Sequence, residues 1–411
     1  MSDGKLIYDW NQRRRDSLLG ATPITVVDET LRDGVQSPSV EDPSLDNKKA
    51  LVRLMDRMGI GVVDVGLPGA GQRAREHVMA LVEMIRDEGL SIIPNCAART
   101  LEADIAPVAD VQQATGHPIE VYTFIGSSPV RQFTESWTVE TIAETSRKAV
   151  EFATRNNLSV AYVTEDTTRS RPDQLTVLFN TAIQAGAKRI VLCDTCGHAT
   201  PHGVDQLVRW ALDYVEGEGS GIGVDWHGHN DRGLSLPNAL VAAEAGAGRI
   251  HATALGVGER VGNTPLDQLL VNLKLLGLWP HDLGQLGEFV RLAATACNVP
   301  LPYNYPVFGA DAFRTATGVH AAAIVKALER GDQSLADLVY SGVPAGQFGM
   351  EQVIEIGPMS GMSNVRYWCN RRGIEPTPSL TQAIFAAAKS SERILTETEL
   401  NAVVTADAAH V

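Results

Sequence analysis

What the sequence lacks narrows its role first. No apolar run reaches the roughly 18 residues that a membrane-spanning helix needs. The first 17 residues, MSDGKLIYDWNQRRRDS, hold no apolar core of the signal-peptide kind. The expected location is therefore the cytoplasm. Positive charge is in deficit: 35 Lys and Arg against 49 Asp and Glu give a formal net charge of −14. A general nucleic-acid binder wants a basic face, so neither nucleic acid nor a membrane is an expected partner. Cysteine is sparse. Cys96, Cys193, Cys196, Cys297 and Cys369 are an odd set in a chain of 411 residues, which is not a disulfide framework. Cys193 and Cys196 form one CxxC, without the second pair that a structural zinc site requires.

What is present is a rhythm. From residue 22, short β-branched runs alternate with longer amphipathic stretches. The spacing predicts strands at Ile24–Val27, Val62–Val65, Ser91–Pro94, Ile119–Phe124, Ser159–Val163, Arg189–Cys193, Gly223–Trp226 and Arg249–Thr253. Helical patterns lie between them, among others at Asn47–Met58, Ala74–Asp87, Thr138–Arg155, Pro172–Ala185, Pro201–Val215 and Leu236–Ala245. Glycine marks helix ends at Gly59, Gly89, Gly186 and Gly246. Strand–helix repetition of this number and length predicts an α/β fold, a (β/α)8 TIM barrel. An open doubly wound sheet is the alternative, but it wants a Gly-rich first turn that is missing here. After about residue 280 the pattern turns to helices joined by Pro- and Tyr-rich links. The expected organisation is an N-terminal arm at 1–21, a barrel at 22–280 and a helical lid subdomain at 281–411. Ala402–Val411 reads as a frayed tail.

Barrel active sites sit at the C-terminal ends of the strands, and polar clusters follow each predicted strand. Glu29, Arg32 and Asp33 follow the first and Asp64 ends the second. Asn95 and Arg99 follow the third, and Ser127, Ser128 and Arg131 the fourth. Glu165, Asp166 and Arg169 follow the fifth, Asp194 and Thr195 the sixth, His227 and His229 the seventh, and Glu259, Arg260 and Asn263 the eighth. Taken alone, Arg32 and Asp33 could equally be a surface ion pair. WHGHND is sharper. Two residues apart on a strand, His227 and His229 point to one side and can chelate a divalent metal. A hydrogen-bonded histidine pair is the alternative. With Asp33 across the barrel they make a two-His, one-carboxylate set, with Asn263 as a fourth or water-mediated ligand. Such ligands suit Zn, Mn, Co or Fe and tolerate Mg. In GVGERVGN, Gly256 and Gly258 let backbone approach a ligand closely, and Glu259 and Arg260 are expected to brace the loop as an ion pair.

Several of these motifs resemble one family. VDETLRDGVQSP resembles the first signature of the acetyl-CoA-dependent 2-oxo-acid condensing enzymes, the 2-isopropylmalate, homocitrate and citramalate synthases of the DRE-TIM metallolyase superfamily. HGHND, GVGERVGN, EDTTRS and CDTCG resemble further signatures, and TATGVHAAAIVKAL (315–328) resembles a segment of the helical appendage. The resemblance spans about residues 22–370. It implies a metal-dependent barrel and a homodimer with exchanged lids. It implies that Asp33, His227 and His229 hold a divalent metal (Zn, Mn, Mg or Co) with Asn263 nearby, and that Arg32 holds the 2-oxo acid and its developing alkoxide. Thr195 would bind the substrate carboxylate, and His320 would approach the partner's site and share in proton transfer. Asp64 is a further catalytic candidate. Ser128, Arg131 and Arg99 are substrate candidates, and Gly256, Gly258 and Glu259 are CoA candidates. The implied partners are acetyl-CoA and a 2-oxo acid, joined by Claisen condensation and thioester hydrolysis.

Departures colour the expectation. DVGLPG places Asp64 where the family usually has Glu. SSPVRQF places Arg131 where His is usual, which favours a substrate with a second anionic group. The chain stops short of the domain that mediates leucine feedback in many isopropylmalate synthases, so no leucine inhibition by that route is expected. Candidate substrates are 2-oxoisovalerate, 2-oxoglutarate, pyruvate, oxaloacetate or a phosphonate analogue. The rival readings are a retro-aldol lyase of the 3-hydroxy-3-methylglutaryl-CoA type and a non-catalytic metal- or acyl-CoA-binding homologue. The lyase type carries a cysteine in the glycine loop, and GVGERVGN has none. The intact Arg32, Asp33, His227 and His229 set argues against a silent homologue.

Overall fold

The computed structural model describes residues 6–11, 23–218 and 221–409. Apart from 6–11, the expected N-terminal arm lies outside the described residues. The β-branched runs form eight strands: β1 Thr25–Asp28, β2 Val62–Asp64, β3 Ile93–Arg99, β4 Glu120–Gly126, β5 Ser159–Glu165, β6 Arg189–Asp194, β7 Gly223–Gly228 and β8 Arg249–Ala252. Every neighbouring pair is parallel, and β1 pairs with both β2 and β8, so the sheet closes into a (β/α)8 barrel. Closure fixes a register in which Val27 lies opposite His251 and Asp28 opposite Ala252. Residues two apart on one strand share a face, so Glu29, just beyond β1, points the same way as Val27.

The strands sit close to their predicted places, with one shift. β3 begins at Ile93 and runs to Arg99, whereas the pattern ends it at Pro94. Proline inside a strand reads as a terminator because it cannot donate to the ladder. Here Pro94 pairs with Val63 and the strand continues through Asn95 and Cys96.

The intervening helices bury an apolar stripe against the barrel, with Leu51, Leu81, Ile85, Val150, Leu178 and Phe179 wholly enclosed. Several of their ends are capped by side chains or glycine. Ser44 Oγ accepts from the Asn47 N–H, and Thr138 Oγ1 from that of Thr141. Gly186 and Gly246 end theirs at φ 112° and 111°, in the region glycine tolerates best. The structure adds helices at Glu102–Thr115 and Leu266–Leu275. The first contains Pro107, past its first turn, so the helical bond to the Ala103 carbonyl is not made. Among the described residues no helix is long and apolar enough to cross a membrane.

The chain divides into two compact units, residues 1–282 with 288–299, and residues 283–287 with 300–411. The first contains the barrel. The second is helical, with helices at Gly318–Glu329, Gln333–Leu338, Met362–Arg371, Pro378–Ser390 and Glu397–Ala408, and a two-stranded parallel ribbon pairing Arg314–Thr315 with Val353–Ile354. One core gathers Ile356, Val365, Trp368, Leu380, Ile384 and Leu400. A second gathers Ala321, Ile324, Val325 and Ala336. The expected frayed tail is corrected here: residues up to Ala408 are helical. A reciprocal cap explains it. Thr396 Oγ1 accepts from the Glu399 N–H, and the Glu399 carboxylate accepts from the Thr396 N–H.

Candidate active site

At the end of β1 the chain turns sharply and presents Glu29, Arg32 and Asp33 to the barrel mouth. Arg32 is gripped by three carboxylates. Its Nε donates to Asp64 at 2.8 Å, its Nη1 to Asp33 at 2.9 Å and its Nη2 to Glu29 at 2.9 Å. A guanidinium has five N–H donors, so each Nη keeps one hydrogen for a ligand. The cluster sets its own ionisation. Burial pushes Asp33 and Glu29 up, but the Arg32 guanidinium and His227 outweigh it and hold both below the usual carboxylate range. Asp64 is raised to about 6, because its burial outweighs the help of Arg32.

β7 delivers the two histidines. His227 Nδ1 donates to Glu29 Oε2 at 2.6 Å, which leaves Nε2 as the lone-pair nitrogen facing Asp33. His227 Nε2 and His229 Nε2 stand 3.9 Å and 3.7 Å from Asp33 Oδ2. Those separations are too long for hydrogen bonds. They suit ligands that would each stand about 2.1 Å from a shared ion. Burial, then the neighbouring His227, lowers His229 to about 4, so its ring is neutral and available as a ligand near pH 7. The Asp33, His227 and His229 set therefore fits a divalent metal. Asn263 stands behind it: its Nδ2 donates to Asp33 Oδ2 at 2.8 Å and to the Val257 carbonyl, while its buried Oδ1 has no partner.

The glycine loop explains how Asn263 arrives. A side chain on Gly258 would collide with the Asn263 amide, and one on Gly262, at φ 91°, would lie 1.8 Å from the Gly256 carbonyl oxygen. The glycines serve the loop's own packing as well as any approach to a ligand. The expected Glu259–Arg260 ion pair is present at 3.7 Å, and Arg260 is held more tightly still by Asp231 at 2.7 Å and the Thr195 carbonyl at 2.6 Å.

These elements surround a cavity of about 120 Å³. Arg32, Asp33, His227, His229, Thr195 and Glu259 line it together with Glu29, Glu165, Cys193 and His251. An apolar wall of Ala97, Phe124, Val163 and Val191 completes it. Thr195 Oγ1 accepts from the Asp166 N–H at 2.8 Å, so its own proton is free to donate.

Other expected residues are placed elsewhere. Arg99 turns outward, 63% exposed, and is paired with Asp104. Ser128 is buried as the N-cap of the helix Pro129–Glu135. Arg131 folds over Gly126 and pairs with Glu135 at 3.3 Å, half exposed; it does not itself line the cavity, but its charge acts on Glu165, which does. Asp64 touches the cavity only through Arg32. His320 belongs to the second unit, where its exposed ring stacks on Tyr340 with centroids 4.1 Å apart.

Two cavity residues carry no role in the sequence reading. Glu165 ends β5 facing the cavity, and burial raises its carboxyl above the ordinary range. His251 sits inside β8, where a histidine reads as core. Its Nδ1 lies 3.0 Å from Glu29 Oε1. Its only signal was the alternation Arg249–His251, which points both side chains into the barrel. There Arg249 bonds Glu120 and the Tyr122 hydroxyl, and Arg189 bonds Asp225, so the barrel interior carries ionic groups where branched apolar ones are usual.

A family model described as HMGL-like matches residues 23–295. The chain is 28% identical over 369 residues to a probable 2-isopropylmalate synthase of Methanopyrus kandleri, covering 89% of this chain and 69% of that protein. It is 30% identical over 374 residues to a homocitrate synthase of the same organism, covering 89% of this chain and 87% of that protein. The hydroxymethylglutaryl-CoA lyase from Pseudomonas aeruginosa shares the fold, with a TM-score of 0.54 and 18% identity over 67% of this chain and 93% of that one.

Proposed function

The chain belongs to the HMGL-like family, and from that premise we propose that it is a divalent-metal-dependent enzyme condensing acetyl-CoA with a 2-oxo acid. The products are a 2-substituted malate or homologue and free CoA. One observation carries the reading: Asp33, His227 and His229 present three ligand atoms on the wall of the same cavity as Arg32.

A bound divalent ion would supply Lewis-acid polarisation of the 2-oxo carbonyl. The protein's own groups do the rest. The two uncommitted Arg32 N–H groups hold the carbonyl oxygen and stabilise the charge it gains as the new carbon–carbon bond forms. Asp64 fixes the guanidinium from behind. The Thr195 hydroxyl donates to the substrate carboxylate. Glu165 takes the methyl proton of acetyl-CoA, since a carboxylate raised by burial is the stronger base. His320 completes the proton transfer, in a homodimer whose exchanged lid brings it to the partner's site. The pantetheine arm enters beside Glu259. Water then cleaves the thioester.

The wall of Ala97, Phe124, Val163 and Val191, with Glu165 beside it, favours a 2-oxo acid with a short neutral side chain. Arg131 pairs with Glu135 and does not line that wall, although its charge acts on Glu165 there, so a second anionic group would need Arg131 to turn inward. The test is thiol release from acetyl-CoA with pyruvate, 2-oxoisovalerate, oxaloacetate and 2-oxoglutarate in turn. Faster release with the first two supports the neutral class, and a preference for the last two would bring Arg131 into the site. Cleavage of 3-hydroxy-3-methylglutaryl-CoA without 2-oxo-acid-dependent thiol release would replace the reading with a lyase.

A further inference from the structure

We infer that Glu29 and His251 act together as positioning residues for His227, fixing which of its ring nitrogens faces the cavity. The inference rests on the reading of Asp33, His227 and His229 as metal ligands. An imidazole offers a lone pair from one nitrogen only while the other keeps its proton. Glu29 Oε2 accepts a hydrogen bond from the Nδ1–H of His227 at 2.6 Å. That contact orients the ring only if the carboxylate is itself held, and His251 holds it. His251 Nδ1 lies 3.0 Å from Glu29 Oε1, the oxygen that also accepts from Arg32 at 2.9 Å. Rotating Glu29 to release His227 would break both contacts.

His251 is fixed in turn. The β1–β8 register places it opposite Val27, so it faces the interior one step below Glu29. Its ring packs on Tyr122 with centroids 5.6 Å apart, and edge-on to His227 at 5.8 Å. Its Nε2 lies 3.7 Å from Asp225 Oδ2, and Asp225 is held by Arg189. A row of polar side chains therefore runs from His227 down the barrel to Arg189, hydrogen-bonded except across the 3.7 Å between His251 and Asp225. Partners behind metal-ligating histidines commonly carry about 10–100-fold in metal affinity.

The same atoms allow one other arrangement, because Glu29, His227 and His251 are themselves close enough to share an ion. A Co²⁺ titration of chelator-stripped protein separates the possibilities, read by calorimetry and by the visible Co²⁺ absorption band. The expected result is one ion per wild-type chain, about 10–100-fold weaker binding in Glu29→Gln and His251→Leu, and a shifted band. His251→Asn keeps a donor near the Nδ1 position and should hold close to wild type, which mere destabilisation would not explain. Glu29→Gln is isosteric and guards against a variant that fails to fold. Wild-type affinity and band in Glu29→Gln and His251→Leu would overturn the inference alone. Two ions per wild-type chain would overturn it by making Glu29 and His251 ligands. No binding by wild type would overturn the metal reading, and this inference with it.

Discussion

Arg32 illustrates how one side chain serves two purposes. Three carboxylates, Glu29, Asp33 and Asp64, spend three of its N–H groups and fix its plane, and the remaining two are uncommitted on a residue that lines the cavity. Lysine keeps the charge but not the planar fork. Arg32→Lys is expected to lower kcat by about 10²–10³-fold while metal stoichiometry holds, checked by steady-state kinetics beside metal analysis. Asp33→Ala and His229→Ala should instead lose metal and activity together, and retained stoichiometry in both would contradict the ligand assignment. His251 makes a separate prediction. Burial would lower it, but Glu29 and Asp225 raise it to about 9 from an ordinary 6.5. A cation stabilised by folding contributes fully below pH 6.5, and that contribution disappears as pH rises through about 9. The Tm advantage of wild type over His251→Leu should therefore be larger at pH 6 than at pH 9.5 (scanning calorimetry at about these two values tests it).

At the scale of elements, the loop from Gly256 to Asn263 is the most exacting part of the site. At Gly262 a methyl group meets the Gly256 carbonyl at 1.8 Å and the backbone is left-handed, so Gly262→Ala should displace Asn263. A lower Tm and weaker metal binding are the expected readouts. At the end of β5, Glu165 should give the kcat/KM profile an acidic limb above the ordinary carboxylate range, because the required base is protonated as pH falls through its raised pKa. Glu165→Gln should remove that limb along with about 10²–10⁴-fold of rate. These elements also mark what the sequence could reveal. The eight strands were legible because buried parallel strands read as β-branched runs. Thr195, His227 and His229 were legible because they stand at or just past the C-terminal end of a strand, and Asp33, in the turn beyond β1, because of the charged run it belongs to. Which way a side chain turns is not legible from such a position alone, and Arg99, the last residue of β3, turns outward. Arg99, Ser128 and Arg131 have the right composition, yet Asp104, the helix at Pro129 and Glu135 draw them away. Glu165 and His251 were missed for the opposite reason. One lay unassigned in a polar cluster, and the other sat within a strand where burial is the default.

At the scale of the molecule, the chain comprises a barrel unit and a helical unit, and the proposed proton step draws on both. If lids are exchanged in a homodimer, His320→Ala and Asp33→Ala are each inactive alone. Co-refolded, they should regain activity, since one mixed site is then intact. Sedimentation should show the dimer, and a fully active monomer would exclude exchange. Beneath these predictions lies a single chemical claim, that the barrel joins acetyl-CoA to a 2-oxo acid at a metal held by Asp33, His227 and His229. Thiol release from acetyl-CoA by metal-loaded protein tests it most directly. The account predicts release only when both a 2-oxo acid and the metal are present, fastest with a short neutral side chain. No release with any 2-oxo acid, from protein that demonstrably carries its metal, would contradict it.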